Sequence, residues 1–181
     1  MLIREERAED GDAVAEVHRQ AFTDEGPVVA TLVDDLRSSL ESEPGLSLVA
    51  VDGATVIGHV LFTRNRLDAP KQLVDVQVLS PLGVLPERQR RGVGSALVRR
   101  GLQQLAQRAV PLVFLEGSPA YYSRFGFRPG DEHGFRRPSL RIPPAGFQVH
   151  LLPAYEAWMT GTLVYRREFW DHDLVGLRDS S

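Results

Sequence analysis

The chain of 181 residues contains no cysteine. Its absence excludes disulfides, thiolate metal sites and any acyl intermediate carried on a cysteine. Lysine is nearly absent as well: Lys71 is the only one among 21 basic residues, a bias that reads as genome composition rather than mechanism. Acidic residues outnumber basic ones, giving a formal net charge of −3 and a pI near 6.0. That balance argues against a general nucleic-acid binder. No apolar run approaches the ~18 residues of a membrane-spanning helix. The charged start Met1-Leu2-Ile3-Arg4-Glu5-Glu6 is no signal peptide. The expectation is therefore a cytoplasmic protein with neither membrane nor nucleic acid as partner. His18, His59, His133, His150 and His172 form no His-x-His or His-x-x-x-His pair. No metal is expected, and each histidine reads as a surface or core residue.

What is present fits one globular domain spanning 1–181, with 43% apolar residues to fill a core. Leu2 to Arg4 reads as a first strand. Asp10 or Asp12 can cap a helix through about Phe22, with Ala13, Val14, Val17 and Ala21 as its apolar stripe. Pro27 suits the first turn of a second helix through Leu40. Leu46 to Val51 and Thr55 to Phe62 are strands joined by Asp52-Gly53, a hairpin signal. A polar link, Arg64 to Gln72, leads to a long strand from Val74 to Val84. A helix then runs from Val93, with Leu97, Gly101, Leu105 and Ala109 at i+4 spacing. Pro111 to Leu115 is wholly apolar, the sign of a buried central strand. Ser118-Pro119 opens a short helix to Phe125, stopped by Gly126. Arg128 to Gly146 reads as loop, with Arg136, Arg137 and Arg141 as a solvated basic stretch. Phe147 to Leu152 and Gly161 to Arg166 close the pattern, and Trp158 and Trp170 anchor the C-terminal segment. The order is that of a mixed α/β domain.

The segment between the long strand and its helix carries the chemistry. Gln89-Arg90-Arg91-Gly92-Val93-Gly94-Ser95 places arginines and a Gly-x-Gly at a helix start. Free N–H groups there point outward, the helix dipole favours negative charge, and glycine lets a ligand approach the backbone. This is a phosphate cradle. A P-loop would require a lysine, and none is present. A dinucleotide fingerprint has some support from Glu116, placed about 20 residues on. However, Leu97 occupies its third glycine position, and the approach from Val84 is too long for its tight turn.

Gln89-Arg90-Arg91-Gly92-Val93-Gly94 resembles the Q/R-x-x-G-x-G/A signature of GNAT-type N-acetyltransferases. Tyr121-Tyr122-Ser123-Arg124-Phe125-Gly126-Phe127 resembles the Y-x-x-x-G-F element of the same family. Ser118-Pro119-Ala120-Tyr121-Tyr122 is most similar to a poorly characterised bacterial subgroup. The resemblance implies an α/β GNAT fold: a central, mostly antiparallel sheet splayed at strands 4 and 5 and flanked by helices. It implies acetyl-CoA as co-substrate and an unidentified primary amine as acceptor. Backbone groups of Leu82, Gly83 and Val84 would pair with the pantetheine arm. The N–H groups of Gln89, Arg90, Arg91, Gly92, Val93, Gly94 and Ser95 would hold the pyrophosphate. Arg90 and Arg91 would add charge or face the 3′-phosphate, or else form a solvated helix entry.

Acyl transfer asks for a neutral amine, a stabilised oxyanion and a protonated thiolate. Deprotonating an amine of pKa ~10.4 at neutral pH costs roughly 4 kcal/mol. Tyr122 aligns with the family tyrosine that donates to the leaving thiolate, unless it packs the helix on the sheet. Ser118 is expected to cap the short helix near the coenzyme. The general base is open. Asp75, Gln77 and Ser80 miss the family position, which falls near Val78. Glu116 is a candidate, with a salt bridge as its alternative role. Glu25 could bind a cationic acceptor, and a water chain could serve as the base. With no cysteine, direct transfer in a ternary complex is expected. The alternative is a non-catalytic acyl-CoA-binding or sensing module. A homodimer stays open.

Overall fold

The computed structural model describes residues 1–178. In chain order, β1 Leu2–Glu5, α1 Gly11–Ala21, α2 Gly26–Ser39, β2 Leu46–Asp52, β3 Thr55–Asp68 and β4 Leu73–Val84 come first. They are followed by α3 Val93–Gln107, β5 Leu112–Glu116, α4 Pro119–Tyr122, β6 Arg128–Pro129, β7 Phe135–Arg136, β8 Phe147–Leu151, β9 Gly161–Val164 and α5 Arg167–Asp171. The hydrogen-bonded strand order is β1-β2-β3-β4-β5-β8-β6, with β9 joined to β3 and β7 to β9. The β1–β2, β2–β3, β3–β9, β5–β8 and β6–β8 pairings are antiparallel. The β4–β5 and β7–β9 pairings are parallel. This is the helix-flanked, mostly antiparallel sheet that the resemblance implied. The parallel register at β4 and β5 covers only Gln77↔Val113 and Val78↔Phe114, while β4 continues to Val84, which fits the expected splay. Among the described residues no helix is long and apolar enough to cross a membrane.

The chain falls into two compact units. One comprises Met1–Thr63 with Leu79–Leu105, the other Arg64–Val78 with Ala106 onward. In the first unit, α1 buries Val14, Ala15, Val17 and His18, and α2 buries Val29, Ala30, Leu32, Val33 and Leu36. These are the i, i+3, i+4 positions of an amphipathic face. Each fully buried Leu, Val or Phe contributes about 1.5–3 kcal/mol of transfer free energy. Asp10 occupies the N-cap position of α1, yet its side chain does not cap. Its carboxylate instead accepts from both guanidinium nitrogens of Arg4 (2.6 and 2.9 Å) and from the Arg7 N–H. A bidentate arginine is the stronger donor, and it wins.

In the second unit, β5 is buried on both sides, as its apolar run required. Two expectations need correction. The polar link from Arg64 is strand through Asp68: Asn65 and Leu67 are buried while Arg66 and Asp68 face out, a period-2 alternation that the buried asparagine disguised. Arg64 and Arg66 both pair with Asp75 on β4. The Arg128–Gly146 loop contains the two-residue strands β6 and β7, too short to carry a periodic signal. The helix α5 escaped notice for the same reason, having only five residues.

Gly101 explains the gap in the i+4 stripe of α3. An added Cβ there would fall inside the ring of Phe62, which is fully buried. Helix propensity favours alanine by up to about 1 kcal/mol, but overpacking a filled core costs roughly 1–3 kcal/mol. Gly101→Ala is therefore expected to destabilise, read as a lower urea midpoint with an unchanged m-value. A raised midpoint would show that the contact yields.

Candidate functional site

The loop expected to hold phosphate lies within the first unit. Beyond Val84, the Leu85 N–H donates to the carbonyl of Ile57 (3.0 Å), and a single 3-10 turn spans Pro86–Arg88. Arg88 is tied to Asp52 at 2.7 Å, so it holds the loop rather than a ligand. The Gln89 side chain donates back to the carbonyl of Val84 at 3.1 Å, fastening the loop to the strand it leaves. Two left-handed residues then turn the chain, Arg90 with φ +59° and Gly92 with φ +83°. At Gly92 a Cβ would meet nothing, so glycine is required for conformation alone. The first helical bond of α3 runs from the Ala96 N–H to the Gly92 carbonyl. The N–H groups of Gly92 to Ser95 precede that ladder and have no intrahelical acceptor. Arg90 and Arg91 are exposed beside them. Val93, by contrast, is buried, and a Cβ at Gly58 would press on Val93, Leu97 and the Gly83 carbonyl. Gly58, unremarked in the sequence, is what allows the helix start to sit directly on β3 and β4.

The polar residues of β4, which miss the family position for a base, are placed as follows. Asp75 is exposed and shared between two arginines, and Gln77 and Val78 are buried. Ser80 precedes Pro81, joined by a cis peptide. Leu82, Gly83 and Val84 end the strand, with Leu82 and Val84 partly exposed. Glu25 sits exposed in the short turn between α1 and α2.

The remaining predicted residues, Tyr122, Glu116 and Ser118, belong to the second unit. Ser118 is the N-cap of α4, but its hydroxyl makes no cap bond; its carbonyl accepts from the N–H groups of Tyr121 and Tyr122, both at 3.0 Å. The Tyr122 ring lies over Gly117, where a Cβ would come within 2.5 Å of Cε2. Edge-on contacts from Tyr121, Phe125 and Phe127 surround the ring. Burial, with a smaller contribution from Tyr121, pushes the phenol well above the ordinary tyrosine range, so it stays protonated. Gly126, with φ +88°, ends the turn after α4 and delivers Phe127 into the core, which accounts for the G-F of the motif. Glu116 is held at both oxygens: Oε1 accepts from the Tyr165 hydroxyl (2.9 Å) and Oε2 from the Gly176 N–H (3.0 Å). Burial raises its pKa, and those two hydrogen bonds offset the rise only in part.

Sequence reasoning missed a polar line inside the first unit. His18 on α1 and His59 on β3, 41 residues apart, meet with Nε2 and Nδ1 at 2.7 Å, and both are fully buried. His59 Nε2 lies 2.8 Å from the Ser47 hydroxyl and 3.5 Å from Glu6, to which Ser47 is also bonded. Arg37 pairs with the same carboxylate at 2.7 Å. Burial would raise the Glu6 carboxyl, but hydrogen bonding with His59 and Ser47 and the charge of Arg37 hold it below the ordinary range. Burial lowers both histidines, His18 well below its usual value; at His59 the bond and charge of Glu6 oppose burial, and the charge of Arg37 lowers both. No local motif could have revealed this. The only sequence sign was a histidine placed next to the buried stripe of α1.

Comparison with known proteins agrees with this architecture. Residues 2–130 match the Acetyltransferase (GNAT) domain family, and the chain belongs to that family. It is 34% identical to the uncharacterised N-acetyltransferase YhbS of Escherichia coli, over 93% of this chain and 98% of YhbS. It is 36% identical to a second uncharacterised N-acetyltransferase of that organism, YjhQ, over 66% of this chain but only 65% of YjhQ. The crystal structure of E. coli YhbS in complex with CoA superposes with a TM-score of 0.82 at 32% identity, covering 93% of this chain and 91% of YhbS. A GNAT acetyltransferase from Brucella melitensis in complex with acetyl-CoA superposes with a TM-score of 0.74 at 29% identity, over 93% and 97% of the two chains.

The buried histidines set an acid sensitivity. Their folded pKa values lie below the unfolded value of ~6.5, so the unfolded chain binds more protons. The stability they contribute is complete above about pH 6.5 and is lost as pH falls toward the folded values, by at most ~1.4 kcal/mol per pH unit per histidine. Urea unfolding measured from pH 7.5 to 5 should show this decline, and His18→Gln should flatten it. A wild-type profile flat across that range would contradict the burial of neutral imidazoles.

Proposed function

We propose that the chain is an acyl-CoA-dependent N-acyltransferase that moves an acetyl or related acyl group to a primary amine by direct attack in a ternary complex. The observation that carries this reading is the start of α3. Four N–H groups, from Gly92 to Ser95, are presented by two left-handed residues with Arg90 and Arg91 exposed beside them. That array suits the pyrophosphate of coenzyme A, since a helix N-terminus combines free donors with a favourable dipole. The Leu82–Val84 end of β4, beyond its short register with β5, supplies backbone groups for the two amides of pantetheine, in the manner of an added strand. The CoA and acetyl-CoA complexes of the similar proteins support the same donor.

Tyr122 is assigned as the acid that protonates the departing thiolate. Its hydroxyl has no hydrogen-bond partner among the described residues, and burial keeps it protonated above the ordinary tyrosine range. Glu116 is assigned to holding Tyr165 and the backbone of Gly176 rather than to proton abstraction, because both of its oxygens are already accepting. Removing a catalytic acid typically costs about 10²–10⁴ in rate. Tyr122→Phe is therefore expected to lower kcat for thiol release by about 10²-fold or more, with acetyl-CoA affinity by calorimetry unchanged. Unaltered turnover would remove Tyr122 from the chemistry. A second reading, a sensing module that binds acyl-CoA without turnover, draws on Val78 standing where relatives place a glutamate. Wild-type protein that binds acetyl-CoA yet releases no thiol with any amine of a broad panel would favour it.

A further inference from the structure

The line from Glu6 to His18 has only one consistent arrangement of protons. An ionised carboxylate can only accept, so the Ser47 hydroxyl donates to Glu6, and the Ser47 oxygen in turn accepts from His59 Nε2–H. His59 Nδ1 is then a lone pair, and it receives the Nε2–H of His18. A neutral His18 carrying its proton on Nε2 has an unprotonated Nδ1. That atom is buried and has no hydrogen-bond partner among the described residues. It faces β4 at Gly83, where a Cβ would come within 2.7 Å of it. Any residue other than glycine would cover the lone pair. The rings bond each other, so their lone pairs do not converge on a shared ion. No group of three or more His, Asp or Glu among the described residues is placed to hold a metal.

Taking the acyltransferase reading above as its basis, we propose that His18, His59, Ser47 and Glu6 form a proton relay whose unpartnered end, His18 Nδ1 buried against Gly83, receives the proton lost by the acceptor amine once the bound substrate reaches it. As the nitrogen bonds the acyl carbon and the carbon–sulfur bond breaks, the amine proton goes to His18 Nδ1. The His18 Nε2 proton passes to His59 Nδ1, the His59 Nε2 proton to the Ser47 oxygen, and the Ser47 hydroxyl proton to Glu6. The thiolate is protonated separately by Tyr122. Both imidazoles exchange tautomer, Glu6 ends as a carboxylic acid and Tyr122 as a phenolate; the relay proton, passed back along the line and out through His18 Nδ1 to solvent, and one proton taken from solvent by Tyr122 reset both and balance the transfer. Through the relay, an acidic group on the far side of a buried core supplies the basicity that β4 lacks.

The charged groups around the line come from three further elements. Arg37 on α2 pairs with Glu6, while Arg4 on β1 and Asp10 before α1 neutralise each other. Phe22, at the end of α1, stacks on the His18 ring at 5.8 Å. Burial and the nearby charge of Arg37 keep both imidazoles neutral at rest, the state the relay requires.

Two measurements test this. Long-range proton–nitrogen NMR of the wild-type protein should show His18 protonated at Nε2 and bare at Nδ1; a proton on Nδ1 would overturn the relay. Thiol release from acetyl-CoA, with and without amines, should fall about 10²-fold in His18→Gln, His59→Gln and Glu6→Gln alike. The double variant His18→Gln/His59→Gln should lose no more than either single one, as groups acting in series do. The pH dependence of the wild-type rate should also flatten in the variants, whereas calorimetric affinity for acetyl-CoA holds. Equal pH profiles in wild type and variants would reduce the line to a packing element. Wild-type protein with no thiol release at all would instead defeat the acyltransferase reading, whatever the NMR shows.

Discussion

The start of α3 is the constraint around which the first unit is arranged. A helix that begins on a buried sheet leaves donors without acceptors, a cost that a fold tolerates only where something else satisfies them. Here the loop makes no attempt to fill them with its own side chains. Arg88 is occupied by Asp52, and Gln89 by the Val84 carbonyl. Arg90 and Gly92 both take left-handed backbone conformations just before the helix. Gly58 below and buried Val93 above fix the height of the helix on the strands. The result is a helix start with unpaired N–H groups and exposed arginines beside them, the arrangement proposed to bind the coenzyme.

The two buried glutamates show how the same residue type is set to opposite ends by its donors. Glu6 has a cation, a histidine and a hydroxyl around it, and these outweigh desolvation and keep it ionised. Glu116 has a phenol and one backbone N–H, with Arg141 only a minor influence, so burial prevails and its pKa rises. Desolvation acts on both, and the partner set decides the sign. An ionised, acceptor-only end is what gives the Glu6 line its direction.

How much could be read from the sequence follows from how local each feature is. The turn and helix start from Gln89 to Ser95 were legible because their glycines, arginines and first helical residues are contiguous. Tyr122 and Gly126-Phe127 were legible as one short element whose glycine takes a positive φ. The strand from Thr55 seemed to stop at Phe62 because Asn65, although buried, looks like a loop residue. Asp10 reads as a cap until Arg4 is brought beside it. Contacts across long separations left no trace at all. Neither the His18–His59 bond nor the Tyr165 and Gly176 bonds to Glu116 has a sequence spacing that means anything before the sheet forms.

The central claim is that the open amides at the start of α3, with the end of β4, bind coenzyme A. Residue-resolved amide hydrogen exchange with and without acetyl-CoA tests it most directly. The account predicts that Gly92, Val93, Gly94 and Ser95 gain protection on adding the coenzyme, together with Leu82 to Val84, while the amides of α2 do not change. Coenzyme binding that leaves the amides of residues 92–95 exchanging as fast as before would contradict it.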